Sequence, residues 1–272
     1  MLAWEADPAL IGQPFFVMER LPGRVPPDNP NYNFAGWLAE ASPQRQRRVW
    51  QRAVSAMAAF HRASAAFGAA PFEFLSRPSR GDDGLSQALH YWRAYYDEAV
   101  GTQTHRAMEA GWSWLLAHRP PPQPTQLAWG DARHGNLLFD ADCRVTGLLD
   151  WDLTSLAGPE YDLVWWLLIA QTNARGTGVA PLPGVGDQRD TIGLWESEVG
   201  HTARDLPYHL AFAAFRLGAI LIKMAEFLAQ RGQSTPEREA LRTDNFDTQI
   251  LASMLGLPTA KAPVIHWRGL AG

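Results

Sequence analysis

A mainly helical α+β domain with short β-hairpins set between its helices is the fold class this sequence predicts, on three observations. Long stretches repeat apolar residues at helical spacing and stop at Gly or Pro. Two short apolar runs, Leu137-Leu138-Phe139 and Val145-Thr146-Gly147-Leu148-Leu149, flank a turn at Asp140-Ala141-Asp142, the pattern of a hairpin of buried strands. At 272 residues with 46% hydrophobic content, the chain can bury a full core as one globular unit.

Taken in order, Phe15 to Met18 read as an extended apolar strand, stopped by Pro22-Gly23. Pro43 to Phe67 places Val49, Ala53, Met57 and Phe60 on one helical face, with Pro43 at the permissive N-terminal edge and His61 at the apolar border as a core histidine. Leu85 to Val100 and Thr104 to His118 are two further helices broken at Gly101. Pro120, Pro121, Pro122 and Pro124 make a stiff connector into the hairpin region. Beyond the hairpin, Tyr161 to Gln171 is an apolar helix whose Trp165 and Trp166 read as core, and the Gly- and Pro-rich stretch from Asn173 to Asp190 is expected as a loop. Helices over Asp205 to Arg231, burying Phe212, Phe215, Leu217 and Ile220, and over Pro236 to Leu255 close the fold.

Composition excludes several function classes. A net charge of -4 without a basic stripe argues against a nucleic-acid partner. The single cysteine, Cys143, has no partner for an intramolecular disulfide and reads as a passive turn residue. No apolar run approaches the roughly eighteen residues of a membrane span, and MLAWEADPAL lacks a signal pattern. A cytoplasmic protein without membrane attachment is the expectation.

The chemistry concentrates between Trp129 and Leu163. Metal-assisted phosphoryl transfer needs a carboxylate that takes the acceptor hydroxyl's proton and hard oxygen ligands that hold Mg²⁺ against the phosphates. Asp131 is the candidate base. Asn136 lies five residues on, within reach if the segment between them is tight, and Gly130 and Gly135 supply permissive backbone. The second hairpin strand delivers Asp150 to its end, and Asp152 follows on the same side of an extended chain as a further ligand or as support for one. Any of these Asp residues alone reads equally as a turn or cap; the joint pattern, with Gly158-Pro159 and Asp162 opening an apolar helix, is far more restrictive.

These residues resemble the aminoglycoside phosphotransferase family, also called the phosphotransferase enzyme family, within the protein-kinase-like superfamily. Its usual form is HGDxxxxN, a hydrophobic strand, DWE, then GxPxxDLA; here stand Trp129-Gly130-Asp131, Asn136, Asp150-Trp151-Asp152 and Gly158-Pro159-Glu160-Tyr161-Asp162-Leu163. The resemblance implies that Asp131 orients or deprotonates the acceptor hydroxyl, that Asn136 and Asp150 hold Mg²⁺ with Asp152 beside them, and that Asp162 braces the loop of Trp129 and Gly130. Trp129 replaces the usual His and Asp152 the usual Glu, and neither change removes the base or a metal ligand. Upstream, Ile11 to Gly23 resembles the last small-lobe strand and hinge, whose backbone around Met18, Glu19 and Arg20 would meet the adenine edge of ATP or GTP.

On this resemblance, residues 1–24 are a remnant small-lobe strand and hinge, and residues 25–272 a kinase-like helical C-lobe. The phosphate-covering loop, strand lysine and helix glutamate of a small lobe have no counterpart ahead of the hinge, and no lysine precedes Lys223. The expectation is a large lobe whose small lobe is missing or supplied by another segment or chain. Arg20, Arg24 and Arg133 are the cations nearest in sequence and are expected on the solvated surface.

Three functions fit. The first is a small-molecule O-phosphotransferase using ATP or GTP and Mg²⁺. The second is a truncated or degenerate lobe acting as a binding module. The third is a metal-dependent hydrolase using Asp131, Asp150 and Asp152, ranked last because no histidine cluster accompanies the acids. For the acceptor, Asp82, Asp83, Asp187, Asp190, Glu196 and Glu198 either form an acidic pocket for a cationic hydroxyl compound or are ordinary surface charges, while the twelve tryptophans leave room for a less polar one.

Overall fold

A computed structural model describes residues 1–101 and 104–258 of the chain. Helices dominate, as expected, and the two strand pairs are short. Ala3–Glu5 (β1) pairs antiparallel with Phe15–Val17 (β2), Ala3 opposite Val17. The β1 partner went unforeseen because a three-residue strand leaves almost no periodic signal.

Pro43–Phe67 (α1) starts where Ser42 caps Arg45 N–H and ends at Gly68, φ 69°. It buries Val49, Ala53 and Met57 as its spacing demands, and His61 beside them, while Phe60 is half-buried. Gly84–Val100 (α2) and Arg106–Ala117 (α3) follow. Leu137–Phe139 (β3) and Val145–Leu148 (β4) form the expected antiparallel hairpin, with an irregularity between Leu138 and Phe139. The Asp140 carboxylate accepts from Asp142 and Arg144 N–H and so holds the turn, which carries Cys143, buried, at φ 64°.

Pro159–Ala174 (α4) is the central helix, buried continuously from Pro159 to Leu168. One side, Tyr161, Val164, Trp165 and Leu168, joins the core around Leu206–Gln230 (α6); the other, Leu163, Trp166 and Leu167, joins the core around α1 and β3. A helix apolar all round belongs in such a place. α6 packs against α2, α3 and α4 and against the two terminal helices.

Two expectations are corrected. The Gly- and Pro-rich loop is shorter than predicted because Gln188–Val199 (α5) begins inside it, capped by Asp187 and closed by Gly200 at φ 84°. α5 packs on α1; its few apolar residues hid its period, although its cap pair was readable. The last helix is two, Pro236–Thr243 (α7) and Phe246–Met254 (α8), because Asn245 leaves the helical path to cap Asp247 and Thr248 N–H. No helix among the described residues is long and apolar enough to cross a membrane.

Candidate active site

The site is built on one loop pinned from below. Residues 126–128 run beside 155–157, with Ala128 and Ser155 exchanging backbone hydrogen bonds, which brings the loop against the start of α4. There Asp162, fully buried, accepts from Trp129 N–H at 2.6 Å and Gly130 N–H at 2.8 Å. His61 of α1 completes the anchor at 3.0 Å through Nε2, and because Trp195 of α5 donates to His61 Nδ1, Nε2 is the protonated nitrogen and donates to Asp162. Asp162 therefore faces donors only. Trp129 sends its indole N–H to Leu149 O at 2.8 Å and so ties the loop to the end of β4.

Gly130 sits at φ 96°, and a Cβ there would fall 2.0 Å from Leu153 O, so glycine is required by both backbone and space. Asp131, next in the chain, is held on several sides. Its Oδ2 accepts from Arg133 Nε and from Asn136 Nδ2, both at 2.7 Å, and its Oδ1 accepts from Trp165 Nε1 at 2.8 Å. Burial pushes its pKa up, but Arg133, Trp165 and Arg216 outweigh this and hold it below the usual carboxylate value. Asp131 is an anion at neutral pH, and Oδ1 keeps one acceptor position for a hydroxyl. Its loop neighbour His134 is driven by burial down to about 3 and stays neutral, packed on Trp166.

Asn136, buried at the end of the loop, spends its amide N–H groups on Asp131, leaving Oδ1 free of partners among the described residues. Its backbone carbonyl accepts from Leu149 N–H at 2.9 Å, which sets Asp150 one residue away. Asp150 is exposed, lies at φ 58°, and makes no hydrogen bond or ion pair with the described residues. An amide oxygen and an uncommitted carboxylate, on residues brought near each other by backbone pairing, are hard oxygen donors of the kind Mg²⁺ takes, an ion that accepts few protein ligands and completes its shell with phosphate and water. No group of three or more His, Cys, Asp and Glu side chains among the described residues is disposed to hold a metal, so Asp131, Asp150 and Asp152 do not assemble the hydrolase cluster. Asp152 departs from the period-two argument because Asp150 is left-handed and the chain turns, Thr154 N–H returning to Trp151 O. It lines a cleft of about 250 Å³ with Arg77, Arg80, Gln87 and Tyr91.

The N-terminal segment docks on the same hairpin. Arg24 and Phe139 exchange backbone hydrogen bonds, Thr146 Oγ1 donates to Pro22 O, and Gly147 makes room for Leu21. Met18, Glu19 and Arg20 lie just ahead of this junction, exposed. Arg24 stacks over Trp37 at 4.2 Å. Arg133 is no solvated residue: it bridges Asp131 and Asp28, and Gly135 leaves the space for that bridge.

Four of the six acids considered for an acceptor pocket are engaged elsewhere, while Asp82 and Asp190 are exposed. Asp83 caps α2 and pairs with Arg119, Asp187 caps α5, Glu196 accepts from Ala203 N–H, and Glu198 accepts from Ser55 and pairs with Arg62. An apolar recess of about 510 Å³ opens beside Trp151, lined by Phe60, Phe67, Phe72 and Phe74. The residues that reasoning from sequence missed are Trp165, Arg133 and Arg216. Trp165 was hidden among core aromatics; Arg216 had a signal, a lone charge inside the apolar run of α6.

Comparison with known proteins places this geometry in context. The model of the phosphotransferase enzyme family matches residues 1–197. Acyl-CoA dehydrogenase family member 10 of Mus musculus is 25% identical over 253 residues, 88% of this chain and 22% of that protein. Acyl-CoA dehydrogenase family member 11 of Gallus gallus is 28% identical over 170 residues, 60% of this chain and 20% of that protein. The chain thus spans about a fifth of the length of these curated relatives. A solved structure from Ralstonia eutropha, named as an aminoglycoside phosphotransferase, superimposes with a TM-score of 0.69 at 24% identity, covering 93% of this chain and 74% of that one, a likeness in fold.

Proposed function

Because the chain belongs to the phosphotransferase enzyme family, we propose that it is a small-molecule O-phosphotransferase, moving the γ-phosphate of ATP or GTP to a hydroxyl of its acceptor. The observation that carries this reading is the seating of Asp131: an ionised carboxylate fixed by Arg133, Asn136 and Trp165, with one acceptor position left on Oδ1. A carboxylate of lowered pKa is a weak base, so its work is to orient the acceptor hydroxyl and to take its proton late, as the phosphoryl group arrives. Asn136 Oδ1 and the Asp150 carboxylate would hold Mg²⁺, which supplies charge neutralisation on the phosphate oxygens. Exposed backbone at Met18, Glu19 and Arg20, anchored beside the hairpin that carries Asn136 and Asp150 at its ends, would receive the base of the nucleotide. Residues 1–24 then serve as strand and hinge, and the rest of the chain as the lobe that presents the acceptor.

Calorimetric titration with Mg-ATP and Mg-GTP tests the reading. Saturable heat should appear with one of them and vanish in Asp150→Ala. Asp131→Ala should keep that heat while abolishing transfer to a panel of hydroxyl acceptors. No heat with either nucleotide would replace this reading with that of a binding module.

A further inference from the structure

Arg216 stands in the middle of α6 with none of its surface exposed, and its Nε and Nη1 find no hydrogen-bond partner among the described residues. Burying a guanidinium away from water is costly unless something specific holds it. What holds it is aromatic: the cation lies 3.6 Å from the centre of the Trp165 ring, 4.8 Å from that of Trp92 and 4.9 Å from that of Tyr161. Trp92 donates to the Tyr161 hydroxyl, which closes the cage. Its one hydrogen bond among the described residues goes to the site: Nη2 donates to Gly130 O at 2.5 Å.

Two routes run from this cation to Asp131. Gly130 donates its N–H to Asp162 and gives its C=O to Arg216, so the residue before Asp131 is clamped at both ends. Trp165, the ring on which the guanidinium rests most closely, donates its indole N–H to Asp131 Oδ1. We infer that Arg216 is a positioning residue for Asp131, setting the Gly130–Asp131 backbone and the Trp165 ring so that the carboxylate points one way. The inference rests on Asp131 being the carboxylate that meets the acceptor, but the placement itself can be measured without turnover.

Charge acts in the same direction. Asp131 is faced by Arg133 of its own loop, with Asp28 behind it, and by Arg216 from α6. Tyr161, near Asp162 on α4, also feels Arg216. Removing the α6 cation therefore takes away a charge that attracts the Asp131 carboxylate as well as the clamp on its backbone.

The test is NMR of the whole chain carrying ¹³C-labelled aspartate and ¹⁵N-labelled tryptophan, with Asp131→Asn and Trp165→Phe identifying the two signals. In Arg216→Met the Trp165 indole resonance and the Asp131 carboxyl resonance, both read at one neutral pH, should shift. Arg216→Lys keeps the charge and loses the flat plate, so the indole should move while the Asp131 carboxyl resonance moves less. A folded Arg216→Met protein with both signals unchanged overturns the inference. Should Arg216→Met fail to fold, Trp165→Phe and Arg216→Lys decide: unchanged Asp131 behaviour in Trp165→Phe together with an unmoved indole in Arg216→Lys also overturns it. Nucleotide titrations on the same samples report separately on the phosphotransferase reading.

Discussion

Replacing Asp162 probes the anchor on which the whole site stands. Its carboxylate is fully buried and accepts from Trp129 N–H, Gly130 N–H and His61 Nε2. Asp162→Ala strands three donors, two backbone N–H groups and the His61 Nε2–H, each costing about 1–3 kcal/mol when buried without a partner. A water entering the vacated space offsets part of that, so the expected loss is about 4 kcal/mol. For a domain of this length the unfolding entropy is roughly 0.6 kcal/mol per degree, so the melting temperature falls by roughly 7 °C. Asp162→Asn separates shape from chemistry. Every neighbour of this carboxylate is a donor, so whichever way the amide turns, its NH₂ opposes an N–H, and about 2 kcal/mol is lost. Urea unfolding with the slope held in common measures both. Near-equal losses in the two variants, or a loss under about 1 kcal/mol in Asp162→Ala, would refute the view that this carboxylate is retained as an acceptor for the loop.

Other perturbations test separate parts of the molecule. Gly130→Ala sets a methyl 2.0 Å from Leu153 O on a residue at φ 96°, and should cost about 3 kcal/mol or more and misplace Asp131; Gly193→Ala in α5, where a methyl meets nothing within 4 Å, should be neutral or stabilise by up to about 1 kcal/mol in the same unfolding assay. Asp247, buried in α8 with Oδ2 unpaired among the described residues, has its pKa pushed up by desolvation to about 7. A raised carboxyl pKa means the folded state holds its proton longer than the unfolded chain does. The wild-type protein therefore loses stability as pH rises from about 4 to 7. Asp247→Asn should remove that loss, so its advantage in melting temperature should grow across this interval and level off above it; a constant difference from pH 4 to 8 would rule out the titration.

Local chemistry explains which parts of this fold could be read from the chain. Pro43 and Gly68 bracket α1 because proline is tolerated only at a helix start and glycine takes the positive φ that ends one. The run from Asp131 to Asp150 is legible for a similar reason: a tight loop and a short hairpin are contiguous, so spacing alone brings Asn136 to Asp131 and lays Leu149 against Asn136. Contacts that cross the chain are different. Trp165 reaches Asp131, and Arg216 reaches Gly130, only because α4 and α6 cross beneath the loop, and no local pattern encodes a crossing. The acids of α2 and α5 show the converse. Their sequence density suggested a pocket, yet capping and pairing absorb most of them.

The departure at position 129 follows from the same crossing architecture. A residue there must fill the space above α4 and join the loop to the end of β4, and Trp129 does both: its ring lies 5.9 Å from that of Trp151, and its N–H reaches Leu149 O. That bond fixes the carbonyl just ahead of Asp150, while the Leu149 N–H on the same residue fixes Asn136. Leu149 is thus held by both of its polar groups, one to each side of the loop, and Asp150 leaves it at φ 58° with its carboxylate uncommitted. Such a left-handed aspartate is sparsely populated without surroundings that impose it. The Trp129 indole therefore links the loop that seats Asp131 to the strand end that presents Asp150, because its donor holds a carbonyl that constrains where that carboxylate begins.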